Sequence, residues 1–127
     1  MKFKLNKHGI KNYTKVLQKR LKIVEEEGIK FLWNELYIKT PIRSGAARSS
    51  WNISVNAPNY SFNKLKTSNS LNIPSYKVND TLILASGCPY IKILNDGWSK
   101  QAPANFVQIS VINTKRFMNK LKIKDID

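Results

Sequence analysis

The chain has 127 residues, of which 22 are Lys or Arg and eight are Asp or Glu, so its formal net charge at pH 7 is +14. The length predicts a single domain, and no apolar run reaches the ~20 residues of a membrane-spanning helix. One Cys and one His exclude an internal disulfide and a tetrahedral zinc site, as is typical of a reducing compartment. The basic N-terminus lacks the apolar stretch of a signal peptide.

The positive charge is concentrated towards the N-terminus. Residues 1–22 contain eight Lys or Arg and no acid, and residues 115–124 are again basic. Such an excess predicts a polyanionic partner, an acidic protein surface, or a place in a virus or ribosome. The alternative is that a Lys- and Asn-rich composition raises the charge without functional meaning.

A long helix is predicted from Ile10 to Lys39, after a basic N-terminal leader of residues 1–9. Apolar residues recur mostly at steps of three, four and seven, which forms a stripe along one side; they are Tyr13, Leu17, Leu21, Val24, Phe31 and Leu36. Trp33 lies in the same helix and is either core or interface. Another face carries a lysine row, Lys7, Lys11, Lys15 and Lys19, spaced four residues apart. This lysine row is either a solvated face or a contact with nucleic acid or an acidic subunit.

The middle of the chain predicts a small sheet. Pro41 ends the helix because it disfavours the helical conformation of the residue before it, and Ser44-Gly45 forms a turn. A strand is predicted from Arg48 to Val55, where apolar and polar residues alternate. Residues 56–76 form a long polar loop, of a kind that is often functional or ordered by a partner. Thr81 to Ser86 is a short apolar run typical of a central strand.

The last third of the chain predicts a corner followed by a helix. Asn95-Asp96-Gly97 ends a short apolar run, since Asx residues and Gly supply turn conformations. A polar loop follows, and Ala102-Pro103-Ala104 is suited to a helix start. A helix is predicted from Asn105 to about Lys122, with a frayed tail at 123–127. Together the elements predict an α+β fold: a long N-terminal helix, a small, mostly antiparallel sheet and a C-terminal helix in one domain.

No recognisable catalytic motif is present. His8 lies in the basic leader without a nearby acid. Cys88 follows an apolar strand and precedes a proline, which is typical of a buried small residue rather than a nucleophile. Paired acids at helix spacing, HExxH, a glycine-rich phosphate loop and GxSxG are all missing from the sequence. We therefore expect a protein without catalytic activity, cofactor or metal.

Two segments together resemble the signature of a tailed-bacteriophage family, the tail-completion, neck and minor tail protein Z-like proteins. The first segment is Thr40-Pro41 … Ser44-Gly45 … Arg48 … Ser50-Trp51. The second is Tyr90-Ile91 … Leu94-Asn95 … Gly97 … Ser99 … Gln101-Ala102-Pro103. Order and spacing are similar to the family over residues 30 to 115. Asn95 stands where an acid is common, which would remove a salt bridge, and Asn105 stands where a glycine is usual. The second change is mild because Asn tolerates the left-handed conformation.

The resemblance implies an α+β protomer that forms a ring with other copies of itself at the junction between capsid portal and tail. Rings of six and of twelve copies are both compatible with it, as are the roles of neck, tail-completion and terminator protein. The implied partners are portal or adaptor and tail tube proteins, with non-specific contact with packaged DNA and no membrane. The implied location is the virion, assembled in the host cytoplasm.

The candidate interface residues are Arg43, Arg48, Trp98, Lys100 and Gln101. The two arginines flank the turn at Gly45, where guanidinium groups bind carboxylates or backbone carbonyls, unless they are simply exposed. Trp98 is a candidate intersubunit anchor because Trp is enriched at interface hot spots. The lysine row is the candidate contact with a DNA channel or an acidic portal or tail ring.

The alternative function is a small basic nucleic-acid-binding protein. Such a protein would place the Lys-rich N-terminal helix on phosphates and stack bases on its aromatic residues. No zinc finger, RRM signature or helix-turn-helix is recognisable in the sequence. The two functions therefore differ in whether the chain assembles with itself or binds duplex DNA with a steep salt dependence.

Overall fold

The computed structural model describes residues 11–42, 44–97 and 104–126. These residues form three helices, a single 3-10 turn and two strands, so the α+β fold is confirmed. In chain order the elements are α1 (Lys11–Lys39), the 3-10 turn (Arg48–Ser50), β1 (Trp51–Val55), β2 (Leu82–Ser86), α2 (Ile91–Asn95) and α3 (Phe106–Ile126).

The long helix α1 packs along α3. The rings of Phe31 and Phe117 stack with their centroids 4.5 Å apart. Gly28 is buried between the two helices, where a Cβ atom would lie 2.6 Å from Sδ of Met118. Both the predicted helix and the burial of Val24 from its apolar stripe are confirmed.

The two strands pair antiparallel, with Trp51 opposite Ser86. The prediction that β1 begins at Arg48 is wrong by three residues. Ser49 and Ser50 donate backbone hydrogen bonds to the carbonyls of Gly45 and Ala47, which closes a 3-10 turn there instead. The prediction of β2 as a central strand is also wrong, since within the described ranges β2 pairs with β1 alone and is an edge strand.

The core lies between α1, the inner face of the sheet and the start of α3. Its buried cluster consists of Trp33, Leu36, Trp51, Ile53 and Phe106. The predicted alternation of β1 is confirmed, because Trp51 and Ile53 are buried whereas the intervening polar residues are half-buried. Trp33, for which core and interface were both open, belongs to the core. Cys88 is buried, as expected.

The segment between the strands contains no helix or strand, which confirms a loop over 56–76. Side chains nevertheless hold it on the fold. Asn69 donates from Nδ2 to the carbonyl of Trp51 over 3.3 Å, and the hydroxyl of Tyr76 donates to Glu26 Oε2 over 3.2 Å. The loop is therefore tied to both β1 and α1.

The predicted corner and C-terminal helix are present. α2 ends at Asn95, and Gly97 takes a left-handed φ of +95°. α3 begins one residue after the predicted start and continues beyond the predicted end. The backbone is helical as far as Ile126, and the fraying expected of residues 123–127 stays a prediction.

Candidate intersubunit surfaces

The first signature segment is tied into the core by the hydroxyl of Thr40, which is fully buried at the end of α1. Nε1 of Trp51 donates to Thr40 Oγ1 over 2.8 Å, and Oγ1 in turn donates to the carbonyl of Leu36. Nε1 of Trp33 donates to the carbonyl of Trp51 over 3.2 Å. These bonds join α1 to β1, so Thr40 and Trp51 of this segment stabilise the fold of the single chain.

The turn of the same segment depends on Gly45. Its φ of +93° is left-handed, a region that residues with a Cβ atom rarely adopt. A Cβ atom there would also lie 2.2 Å from the carbonyl oxygen of Thr67 in the loop. The turn at Gly45 is therefore closed by the loop, and it is glycine that permits this approach.

Arg48 contacts the end of α1 within its own chain. Nη2 donates to the carbonyl of Ile38 over 3.0 Å, and the guanidinium carbon lies 5.3 Å from the centre of the Tyr37 ring. A cation beside the last carbonyls of α1 also interacts favourably with the negative end of the helix dipole. Carboxylates and backbone carbonyls were the expected partners of this arginine, and it binds a backbone carbonyl. Its contact with a second subunit stays a prediction.

In the second signature segment, Asn95 caps α3. Its Oδ1 accepts the backbone N–H of Val107 over 2.9 Å, and its Nδ2 donates to Oε1 of Gln108 over 2.9 Å. Its carbonyl accepts the N–H of Asn105 over 2.6 Å. Asn105 has a φ of +64°, which confirms the left-handed conformation expected from an asparagine at a glycine position. The amide of Asn95 thus supplies the acceptor that a carboxylate would supply at a helix start.

Several candidate residues cannot be placed. Arg43, Trp98, Lys100 and Gln101 lie outside the described residues, as does Lys7 of the lysine row. Lys11 and Lys15 belong to the first turns of α1, and Lys19 is exposed on the same helix. The first turn of α1 contains no acid. Positively charged lysines at the start of a helix interact unfavourably with the helix dipole. Stabilisation of α1 therefore does not explain why lysines lie there.

A feature that the sequence did not predict is an acidic cleft between α1, α3 and the start of β2. It has a volume of about 330 Å³, and among its lining residues are the carboxylates Glu25 and Asp80 and the apolar side chains of Leu82 and Met118. The two carboxylates are 55 residues apart in the sequence, so their proximity could not be predicted. The sequence showed only the acidic cluster Glu25-Glu26-Glu27.

The two carboxyl groups of the acidic cleft are shifted in opposite directions. Burial raises the pKa of Glu25. The hydrogen bond from the side chain of Asn56, followed by that from the backbone N–H of Lys77, lowers the pKa of Asp80. Asp80 is therefore ionised at neutral pH, whereas ionisation of Glu25 carries a desolvation penalty.

Neither a metal site nor a membrane span is found in residues 11–42, 44–97 and 104–126. No His, Cys, Asp and Glu side chains of these ranges form a group that can hold a metal ion. None of the helices there is both long and apolar enough to cross a bilayer. Comparisons with protein-family models, with curated proteins and with solved structures found no match. A functional proposal for this chain therefore has to be argued from its own residues.

Proposed function

We propose that this protein is a structural component of a tailed-bacteriophage virion, acting without catalysis. Copies of it would form a ring at the head–tail junction, as a neck, tail-completion or terminator protein that joins the portal to the tail. The proposal starts from the resemblance of the two signature segments, and the arrangement of those segments in the fold supports it.

The observation that carries the proposal is that both segments border one core. Trp51 of the first segment lies in the same buried cluster as Phe106, which lies three residues after the end of the second segment. Ile91 and Leu94 of the second segment pack against that cluster. Two short matches separated by a loop could arise by chance. Because both segments pack against a single core, their spacing along the chain is constrained by the fold, which supports reading them as one signature.

The charge distribution indicates the kind of partner. Residues 1–22 are free of acids, and Lys19 and Arg20 at the end of that stretch are exposed. Further along α1, Lys30 and Lys39 form ion pairs with glutamates of the same helix. We propose that the basic half of α1 lines a channel for DNA or meets an acidic portal or tail ring.

The first experiment tests location and assembly. The protein should be found at the head–tail junction of purified particles by electron microscopy, and the isolated chain should form a discrete oligomer. A protein that is absent from particles, or that turns over a substrate, would contradict the proposal.

A second experiment tests the lysine row in phage that lacks the wild-type gene. Complementation with a variant carrying Gln at Lys7, Lys11, Lys15 and Lys19 should leave separate heads and tails. The matched control places Gln at four exposed lysines elsewhere, Lys64, Lys92, Lys115 and Lys120. Both variants lower the formal charge from +14 to +10 (14 − 4). Normal virion yield from the first variant would refute the role of the lysine row.

The same acid-free stretch favours a second candidate, a nucleic-acid-binding protein. Its signature would be binding of duplex DNA by a monomer or dimer, with an affinity that falls by about 10³ or more between 50 and 200 mM salt for several phosphate contacts. A ring component should instead assemble with little sensitivity to salt. Measuring oligomeric state and DNA affinity over that salt range separates the two candidates.

A further inference from the structure

The outer edge of β2 has unused hydrogen-bonding groups. The N–H of Asn56 donates to the carbonyl of Thr81 over 2.8 Å, which continues the ladder between the strands by one pair. Because facing pairs alternate in an antiparallel ladder, the backbone groups of Leu82, Leu84 and Ser86 point away from β1. Within the part of the chain that the structure describes, these outward groups form no hydrogen bond.

This edge also lacks the features that normally prevent strand addition. Natural edge strands carry charges, prolines or bulges, or are covered by another element. β2 reads Leu-Ile-Leu-Ala-Ser, without charge or proline, and it pairs in regular register with β1. The outer edge of β2 is therefore suited to receive another strand.

The acidic cleft lies beside the same edge. Thr81 and Leu82 line the cleft from the start of β2, Ile29 and Met118 supply apolar surface, and Glu25 and Asp80 supply the charge. Neither of these two carboxylates forms an ion pair with the described residues. An occupant that matches both features is an extended segment that combines apolar side chains with positive charge.

The N-terminal leader contains such a segment. Residues 1–7 read Met-Lys-Phe-Lys-Leu-Asn-Lys, in which apolar residues alternate with polar ones at the period of a strand. If such a segment is extended, Phe3 and Leu5 share one face and Lys2 and Lys4 share the other. Residues 118–124 contain as many lysines with a similar alternation, but they belong to the helix α3.

The geometry of α1 assigns this segment to a second copy. The helix rises 1.5 Å per residue, so Lys11 lies about 26 Å along the axis from Gly28, which lines the cleft. The four steps from Lys7 to Lys11 span at most about 14 Å. At full extension only about the first three residues of the same chain's leader reach the level of Gly28. That leader therefore cannot lie along β2 over its whole length, whereas the leader of a neighbouring copy can.

We propose that residues 1–7 of one copy add as a strand to the outer edge of β2 in the next copy. Phe3 and Leu5 pack over the acidic cleft, and Lys7, which shares their face in an extended segment, brings positive charge towards Glu25 and Asp80. The contact is heterologous, because leader and cleft are different surfaces, and repeating it produces a closed ring or an open chain. The inference rests on the proposed self-assembly and names the contact that carries it, but its test needs only purified protein.

The test compares the full-length protein with two variants by sedimentation velocity over a range of concentrations. The leader variant carries Phe3→Ser and Leu5→Ser, and its association should weaken by at least about a hundredfold, because two apolar side chains lose their burial. The cleft variant carries Glu25→Lys and Thr81→Lys, and its association should weaken at least about tenfold. Circular dichroism and thermal unfolding check that both variants remain folded.

Matched controls separate this contact from general effects of charge. Glu27→Lys with Asn79→Lys makes the same change of charge in neighbouring residues that do not line the cleft, and association should stay within about twofold of wild type. A synthetic peptide of residues 1–7 should inhibit assembly of the wild-type protein, whereas a peptide of the same composition without the alternation should not.

Mixing the two variants gives the sharpest outcome. The leader variant keeps an intact cleft and the cleft variant keeps an intact leader, so the mixture should form heterodimers and nothing larger. If the leader variant assembles like wild type, or the mixture stays monomeric, the inference is wrong while the proposed ring survives. If the wild-type protein is a monomer at its highest soluble concentration, the inference and the proposed function both fail.

Discussion

Replacement of Thr40 by Val tests whether the hydrogen bond between the end of α1 and β1 stabilises the fold. Valine keeps the shape of the buried threonine and removes only its hydroxyl. The N–H of Trp51, which donates to that hydroxyl over 2.8 Å, then loses its acceptor inside the core. The carbonyl of Leu36 still accepts the backbone N–H of Thr40 over 2.9 Å, so the loss falls mainly on the indole.

The magnitude follows from these contacts. A buried donor left without a partner lowers the free energy of unfolding by about 1–3 kcal/mol, and we expect about 2 kcal/mol for Thr40→Val. Thr40→Ser is the matched control, because it keeps the hydroxyl and removes one methyl group. Its expected effect is about 1 kcal/mol, from lost burial and a small cavity. Valine should therefore destabilise more than serine, although valine is the more apolar residue.

Urea unfolding followed by circular dichroism measures both effects without relying on the fluorescence of Trp51. A double-mutant cycle with Trp51→Phe isolates the bond, since phenylalanine has no N–H to leave unpaired. The coupling energy between the two positions should be about 1–2 kcal/mol. A coupling energy near zero, or a Thr40→Val protein as stable as Thr40→Ser, would show that the hydroxyl does not hold the two elements together.

Three further predictions concern other positions. Asn95→Ala should lower the free energy of unfolding by about 1 kcal/mol, because the N–H of Val107 loses its cap, whereas Asn95→Asp keeps the acceptor and should be milder; urea titration compares them. Gly87→Ala places a Cβ atom 1.8 Å from the carbonyl oxygen of Tyr60, so the loop must move. Overpacking of this kind lowers the free energy of unfolding by about 1–3 kcal/mol, and the melting temperature should fall with it. Burial raises the pKa of Glu25, so ionisation of Glu25 opposes folding. The protonated carboxyl group contributes stability at pH values below its unfolded pKa. This contribution is lost as the pH rises through the folded pKa. Glu25→Gln should hence raise the melting temperature at pH 7, and the gain should vanish below about pH 4; an equal gain at both pH values would contradict the role of desolvation.

The prediction for Glu25 bears on why the acidic cleft exists. A carboxylate that weakens its own protomer is retained more readily if it contributes to something else, because selection acts on function as well as on stability. A positive segment from a neighbouring copy would give Glu25 the counter-charge that the described residues do not provide. The same substitution, Glu25→Gln, should then stabilise the isolated protomer and weaken its assembly, which distinguishes a functional carboxylate from a merely unfavourable one.

The types of α1, β1, β2 and α3 followed from local patterns, whereas the short helix α2 was predicted only as an apolar run. The apolar periodicity of α1, the alternation of β1 and the glycine and asparagine stops around 95–105 all depend on neighbouring residues. The structure confirms the helix, the alternating burial of β1 and the left-handed conformations of Gly97 and Asn105. Boundaries were less predictable. The strand expected from Arg48 starts at Trp51 because the carbonyls of Gly45 and Ala47 accept hydrogen bonds from the serines that follow, a competition that alternation alone does not reveal.

The amino-acid sequence by itself determines the two long helices, the two strands, the large positive charge and the two segments that resemble a virion family. Each of these depends on residue type and on order over a short stretch of chain. Only the tertiary structure decided that Arg48 contacts the end of α1, that Asn95 caps α3 and that Glu25 and Asp80 share a cleft beside an open strand edge. The physical reason is that these contacts join residues from different elements. Their distances are set by how helices and sheet pack, and periodicity along the chain carries no information about that packing.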